Sequence, residues 1–112
     1  MTSSASDLLI RQLIGGDPNA ATSILDRAQS SDEPVLLVAA ALIIRDEPRW
    51  LARAAVLADT TRDRQLLAIA AAHLANDHDR VDALARDHLV DHPDNIFVSW
   101  IAAGAGLPVP PG

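Results

Sequence analysis

Four histidines fall between residues 73 and 92 of this 112-residue chain, and their type and spacing are the first hint of chemistry. His88 and His92 stand four residues apart. On a helix that spacing puts two imidazoles on one face, where a divalent cation could bind, with Asp87 and Asp91 alongside. No glutamate lies between them as it does in a zinc-protease helix, and Pro93 follows at once. His88 also falls on an apolar stripe, and His73 sits in a continuously apolar stretch. The histidines therefore read first as partly buried structural residues, and no metal or other cofactor is expected.

Arginine offers a second possibility. Arg45, Arg49 and Arg53 recur every four residues, with Arg62 and Arg64 close in sequence. Guanidinium forks hold carboxylates and phosphates bidentately, so such a cluster could grip an acidic group of a partner. Pro48 breaks the stripe and assigns Arg45 to a different helix from the other two. The plainer reading is a solvated face paired with Asp46, Glu47 and Asp59, which contributes little energy. Trp50, between Arg49 and Arg53, is either a core wedge or an anchor for a protein partner, because tryptophan is over-represented among binding hot spots.

Nucleophilic catalysis has little to work with. Serines lie mainly at Ser3, Ser4, Ser6, Ser30 and Ser31, and no glycine-framed nucleophile elbow is present. Gly15-Gly16-Asp17 lacks both phosphate-cradling glycine patterns. The aspartates fall on polar faces with no pair converging as acid and base. A non-enzymatic protein is the expectation.

Composition sets the elements that must position these residues. Hydrophobic residues make up 49% of the chain, mostly alanine and leucine, and the only aromatics are Trp50, Phe97 and Trp100, a balance that favours helices over strands. One domain of ordinary size is expected. The chain has no cysteine, which excludes a disulfide framework and fits a reducing compartment. The opening MTSSASDLL shows no basic stretch leading into an apolar one, so no signal peptide is expected. The longest apolar run, 35–44, is half of what a bilayer needs. These features predict a cytoplasmic protein without membrane insertion. A net charge of −6, with nine arginines, no lysine and fifteen acids, disfavours nucleic acid.

The chain carries an internal period of 30 residues. Its breaks align as Gly16-Asp17-Pro18, Asp46-Glu47-Pro48 and Asn76-Asp77-His78. After each comes an apolar stripe at i, i+3, i+4 and i+7: Ala21, Ile24, Leu25, Ala28; Leu51, Ala54, Ala55, Ala58; Val81, Leu84, Ala85, with His88 in the last place. Before each break the sequence is more continuously apolar. Pro18 and Pro48 suit the first turn of a helix, Asp17 and Asp77 can cap the amides that follow, and Gly15-Gly16 can end a helix in the left-handed region. The pattern predicts helices near 5–14, 18–30, 34–45, 48–59, 63–75, 79–91 and 95–103.

The third unit, with Asn76-Asp77-His78-Asp79-Arg80-Val81, Ala83-Leu84-Ala85, Leu89 and His92-Pro93-Asp94-Asn95, resembles the turn, second helix and proline exit of a tetratricopeptide repeat. The period is shorter than that family's ~34 residues, and Ala72 and His73 stand where it has large aromatics. The resemblance implies an all-α, right-handed helical-hairpin solenoid of about seven helices, built from degenerate, shortened repeats. Residues 1–4 would be a disordered N-terminus and 5–103 a single repeat domain. Its units would be 5–31, 34–61 and 63–92, with 95–103 as a capping helix and 104–112 as a Pro/Gly-rich tail. By analogy with the family, Ile10, Leu13, Leu36, Ala40, Ile43, Leu66, Ala70 and His73 would line an apolar inner face. An exposed strip of that length needs a cover. The expected function is a protein-interaction scaffold or assembly subunit that binds a protein partner or a second copy of itself as a homo-oligomer. Ile10, Leu13, Leu36, Ile43, Leu66 and His73, together with Arg49, Arg53 and Trp50, would form the contact. The alternatives are a carrier of a small apolar ligand, with His73 as its polar handle, and a metal-dependent enzyme using His88 and His92.

Overall fold

Seven helices and no strand occur among the described residues, 5–104, of the computed structural model. They are α1 (Ala5–Ile14), α2 (Pro18–Ala28), α3 (Pro34–Ile43), α4 (Arg49–Leu57), α5 (Thr61–Leu74), α6 (His78–Asp91) and α7 (Ile96–Ala102). Every helix end lies within two residues of the position predicted from the pattern. The segments expected to be a disordered start and a Pro/Gly-rich tail lie, Gly104 aside, outside the described residues.

Local chemistry accounts for the boundaries. Helix α1 ends with Gly16 at φ +87, where Gly16 N–H donates to Leu13 O and Asp17 N–H to Gln12 O, each at 3.0 Å. Sixty residues on, α5 ends the same way. Asn76 at φ +60 donates to His73 O and Asp77 to Ala72 O, again at 3.0 Å. Both are left-handed caps that satisfy carbonyls the helix leaves unpaired, and asparagine tolerates that conformation better than other non-glycine residues. The expected aspartate caps form too: Asp17 Oδ1 accepts from Asn19 N–H at 2.9 Å, and Asp77 Oδ1 from Arg80 N–H at 3.2 Å. The middle break differs. Pro48 is the N-cap of α4 rather than its first residue, and no residue from Ile44 to Pro48 is left-handed. Two of the three aligned breaks thus share one geometry.

Consecutive helices pack as neighbours, α1 on α2, α3 on α4 and α5 on α6, and each second helix also touches the next first helix. The first helices form their own series, α1 on α3, α3 on α5 and α5 on α7. Helix α7 then closes the series by packing on α1. Helix α3 lies at the centre, against α1, α2, α4 and α5, so it needs apolar residues on every side, and Leu36 to Leu42 are all buried. Helices α2, α4 and α6 bury one stripe each, through Ala20, Ile24 and Ala28; Trp50 and Ala54; Val81, Ala85 and His88.

That closure corrects the expectation of an open apolar inner face. Ile10, Leu13, Leu36, Ala40, Leu66 and Ala70 are each at most 5% exposed, inside one core cluster that includes Phe97, Val98 and Ile101 of α7. The chain's own last helix fills the place left for a partner. The reason is the ring of contacts from α1 through α3, α5 and α7. Its radius of gyration of 13.0 Å is that of a filled globule of this length, not of an extended stack.

Candidate functional site: the Trp50 cleft and the His88 relay

Helix α4 begins at Arg49, so its first two turns carry Arg49, Trp50 and Arg53 toward the end of α2. There Gln29 joins them around a cleft of about 190 Å³. Trp50 is 4% exposed, which favours the core wedge of the two sequence readings. Its indole Nε1–H, however, is buried without a hydrogen-bond acceptor. A buried unpaired donor costs on the order of 1–3 kcal/mol, because it has given up water and gained nothing.

Both guanidinium groups line the same cleft. Arg49 lies over the indole, its Cζ 4.5 Å from the ring centroid, and its Nε is 3.7 Å from Glu47. Arg53 reaches back across the α2–α3 connection to Gln29 O at 3.4 Å and Asp32 at 3.5 Å. Pairs this long and this exposed contribute little stability and exchange readily for a better acceptor. Arg45 does not line the cleft. Its charge acts instead on half-buried His73, whose pKa is lowered first by burial and then by Arg45 and His78. The arginine stripe is therefore split, as the break at Pro48 implied.

The second constellation is built on His88, which is fully buried in the stripe position of α6. Its Nδ1 lies 2.7 Å from Gln65 Oε1 on α5 and its Nε2 lies 2.9 Å from Asn95 Nδ2, at the start of α7. Asn95 Oδ1 in turn accepts from Val98 N–H at 3.3 Å and caps α7. That cap fixes the amide orientation, so Asn95 offers Nδ2–H to His88. Nε2 must then be the acceptor, and Nδ1–H donates to Gln65. Burial lowers the His88 pKa, followed by the charges of His92 and Arg62, with Asp91 acting in the opposite direction. The rings of His88 and His92 are 4.7 Å apart and tilted by 32°.

The structure brings Arg49, Trp50 and Arg53 together. It takes Ile10, Leu13, Leu36 and Leu66 into the core, and leaves Ile43 and His73 half-buried at its edge. His88 and His92 adjoin as the spacing implied, yet both ring nitrogens of His88 are committed to Gln65 and Asn95. Sequence reasoning missed the relay. Its one legible signal was Asn95 standing just before an apolar run, a capping position; nothing marked Gln65 as the partner on another helix. No family model, curated protein or solved structure matches this chain.

Proposed function

We propose that the chain is a non-enzymatic interaction module, a compact stack of shortened tetratricopeptide-like hairpins that grips an acidic segment of a protein partner at the Trp50 cleft. The observation that carries this reading is a cleft lined by Arg49, Arg53, Trp50 and Gln29, whose two guanidinium groups are exposed and held only by long ion pairs. The two guanidinium groups suit a carboxylate, and charge-assisted hydrogen bonds to it are the strong ones. Repetition of the hairpin pairing and of the left-handed caps supports the repeat reading. A cytoplasmic setting agrees with a described chain in which no helix is long and apolar enough to cross a membrane.

The carrier reading has less to stand on. The face meant to hold an apolar ligand is packed by α7, and a cleft of about 190 Å³ is below the ~300–1,000 Å³ of typical small-molecule sites. Self-association through that face loses its support for the same reason.

A photo-cross-linking residue at Gln29 tests the reading in the native cell. Cross-links to an acidic segment of a partner that disappear with Arg49→Glu and Arg53→Glu, but persist with Arg86→Glu on α6, are the expected result. Cross-links unchanged by reversing both cleft charges would overturn it.

A further inference from the structure

Every hydrogen-bonding group in the His88 relay has one direction available to it. Val98 N–H donates to Asn95 Oδ1, Asn95 Nδ2–H donates to His88 Nε2, and His88 Nδ1–H donates to Gln65 Oε1. The line runs from α7 through α6 to α5, and its only titratable member is the imidazole in the middle. We infer that this relay is an acid-sensitive latch on α7: a proton on His88 Nε2 turns the acceptor into a donor and drives Asn95 out of the pose that caps α7.

The steps are as follows. A protonated His88 presents N–H on both sides. Nε2–H then faces the Nδ2–H of Asn95, donor against donor, at a ring that is itself fully buried. Asn95 restores a hydrogen bond only by turning its Oδ1 toward the ring, and that withdraws Oδ1 from Val98 N–H. Helix α7 has seven residues and no charged side chain, so little beyond its cap and its apolar face holds it. It packs on α6, α5 and α1, with Phe97, Val98 and Ile101 buried. Loosening α7 therefore opens the ring of first helices and bares the strip between α1 and α5.

The charges around the ring act in one direction overall. Arg62 on α5 and His92 at the end of α6 oppose the proton, Asp91 on α6 favours it, and α7 contributes no titratable group. Burial also opposes it, so the latch holds at neutral pH and gives way in acid. The latch is independent of whether the Trp50 cleft binds an acidic segment.

Nuclear magnetic resonance on the full chain tests it in three readings. Near pH ~7.5 the imidazole nitrogen spectrum should show His88 as the Nδ1–H tautomer, the opposite of the usual preference. As pH falls from the open-state value of about 6.5 toward the lower His88 midpoint of the closed state, amide protection at Val98 and Ile101 should drop by up to about tenfold per unit relative to Ile24 in α2, as one linked proton requires, and level off below that midpoint. His88→Gln, which keeps an acceptor but does not titrate, should abolish that slope. Should His88→Gln fail to fold, Asn95→Asp serves instead, since aspartate caps α7 and also accepts from a protonated ring. It should raise the His88 midpoint and hold α7 in acid. An Nε2–H tautomer, α7 protection that tracks α2 throughout, or a slope that survives either substitution would overturn the latch.

Discussion

Replacing Ile10 by alanine measures whether the inner face is closed. The side chain is 3% exposed and belongs to the core cluster shared with α7. Ile10→Ala removes three carbons; at about 0.8 kcal/mol each the lost burial is ~2.4 kcal/mol, and an uncollapsed cavity raises the total toward ~2–5 kcal/mol. Leu8 on the same helix supplies the control. It is 54% exposed, so removing the same number of carbons should cost about 1 kcal/mol or less, with no cavity. Urea unfolding followed by circular dichroism reads both. With a slope of roughly 1–1.5 kcal/mol per molar, Ile10→Ala should lower the midpoint by about 1–5 M and leave the slope unchanged. An open inner face would leave Ile10 as solvated as Leu8. Equal costs for the two substitutions, within about 0.5 kcal/mol, would refute the closed ring.

Other expectations follow from single residues and are read by the same unfolding assay unless stated. Gly16→Ala should cost about 1 kcal/mol from the left-handed backbone alone, because a methyl group there meets nothing within 4 Å. Asn76→Gly, at the matching cap, should be neutral or stabilising by up to ~1 kcal/mol. Asp77→Ala removes the Arg80 cap and should cost about 1 kcal/mol. Asn95→Ala removes the Val98 cap and leaves His88 Nε2 without a donor, for a loss of roughly 2–4 kcal/mol. Because folding lowers the His88 pKa, the native state favours the neutral ring; its stabilisation is complete above the unfolded value of about 6.5 and is lost as pH falls through the folded one. Denaturant midpoints should therefore fall in mild acid, and His88→Gln should flatten that part of the profile.

The helices were legible in the sequence because local signals coincided at the first and third breaks and proline marked the middle one. At Gly16-Asp17-Pro18 a left-handed terminator, a side-chain cap and a first-turn proline all occur within three residues. The continuous apolar run 35–44 likewise marked α3 as the helix buried on all sides. What stayed hidden depends on long-range closure. Nothing in the order of residues along α1 says that α7 returns to it, so the stripe containing Ile10 and Leu13 looked equally suited to an open groove. The site divides in the same way. Arg49, Trp50 and Arg53 lie within two turns of one helix and could be grouped from spacing, whereas Gln29 and Asp32, in the α2–α3 connection, meet Arg53 only through the tertiary fold. His88 was visible as an imidazole on an apolar stripe. Its two partners come from helices on either side, which helical periodicity does not encode.

The Trp50 indole N–H reports most directly on the proposed role. Its resonance, told apart from that of Trp100 with Trp100→Phe, can be followed while a short aspartate- and glutamate-rich peptide is added. A saturable shift of the Trp50 peak, lost in Arg49→Gln/Arg53→Gln with the fold intact, is the result expected of an indole lining a cleft that takes up a carboxylate. A Trp50 peak that stays in place while the peptide saturates the protein elsewhere, or that shifts equally without the two arginines, would contradict it.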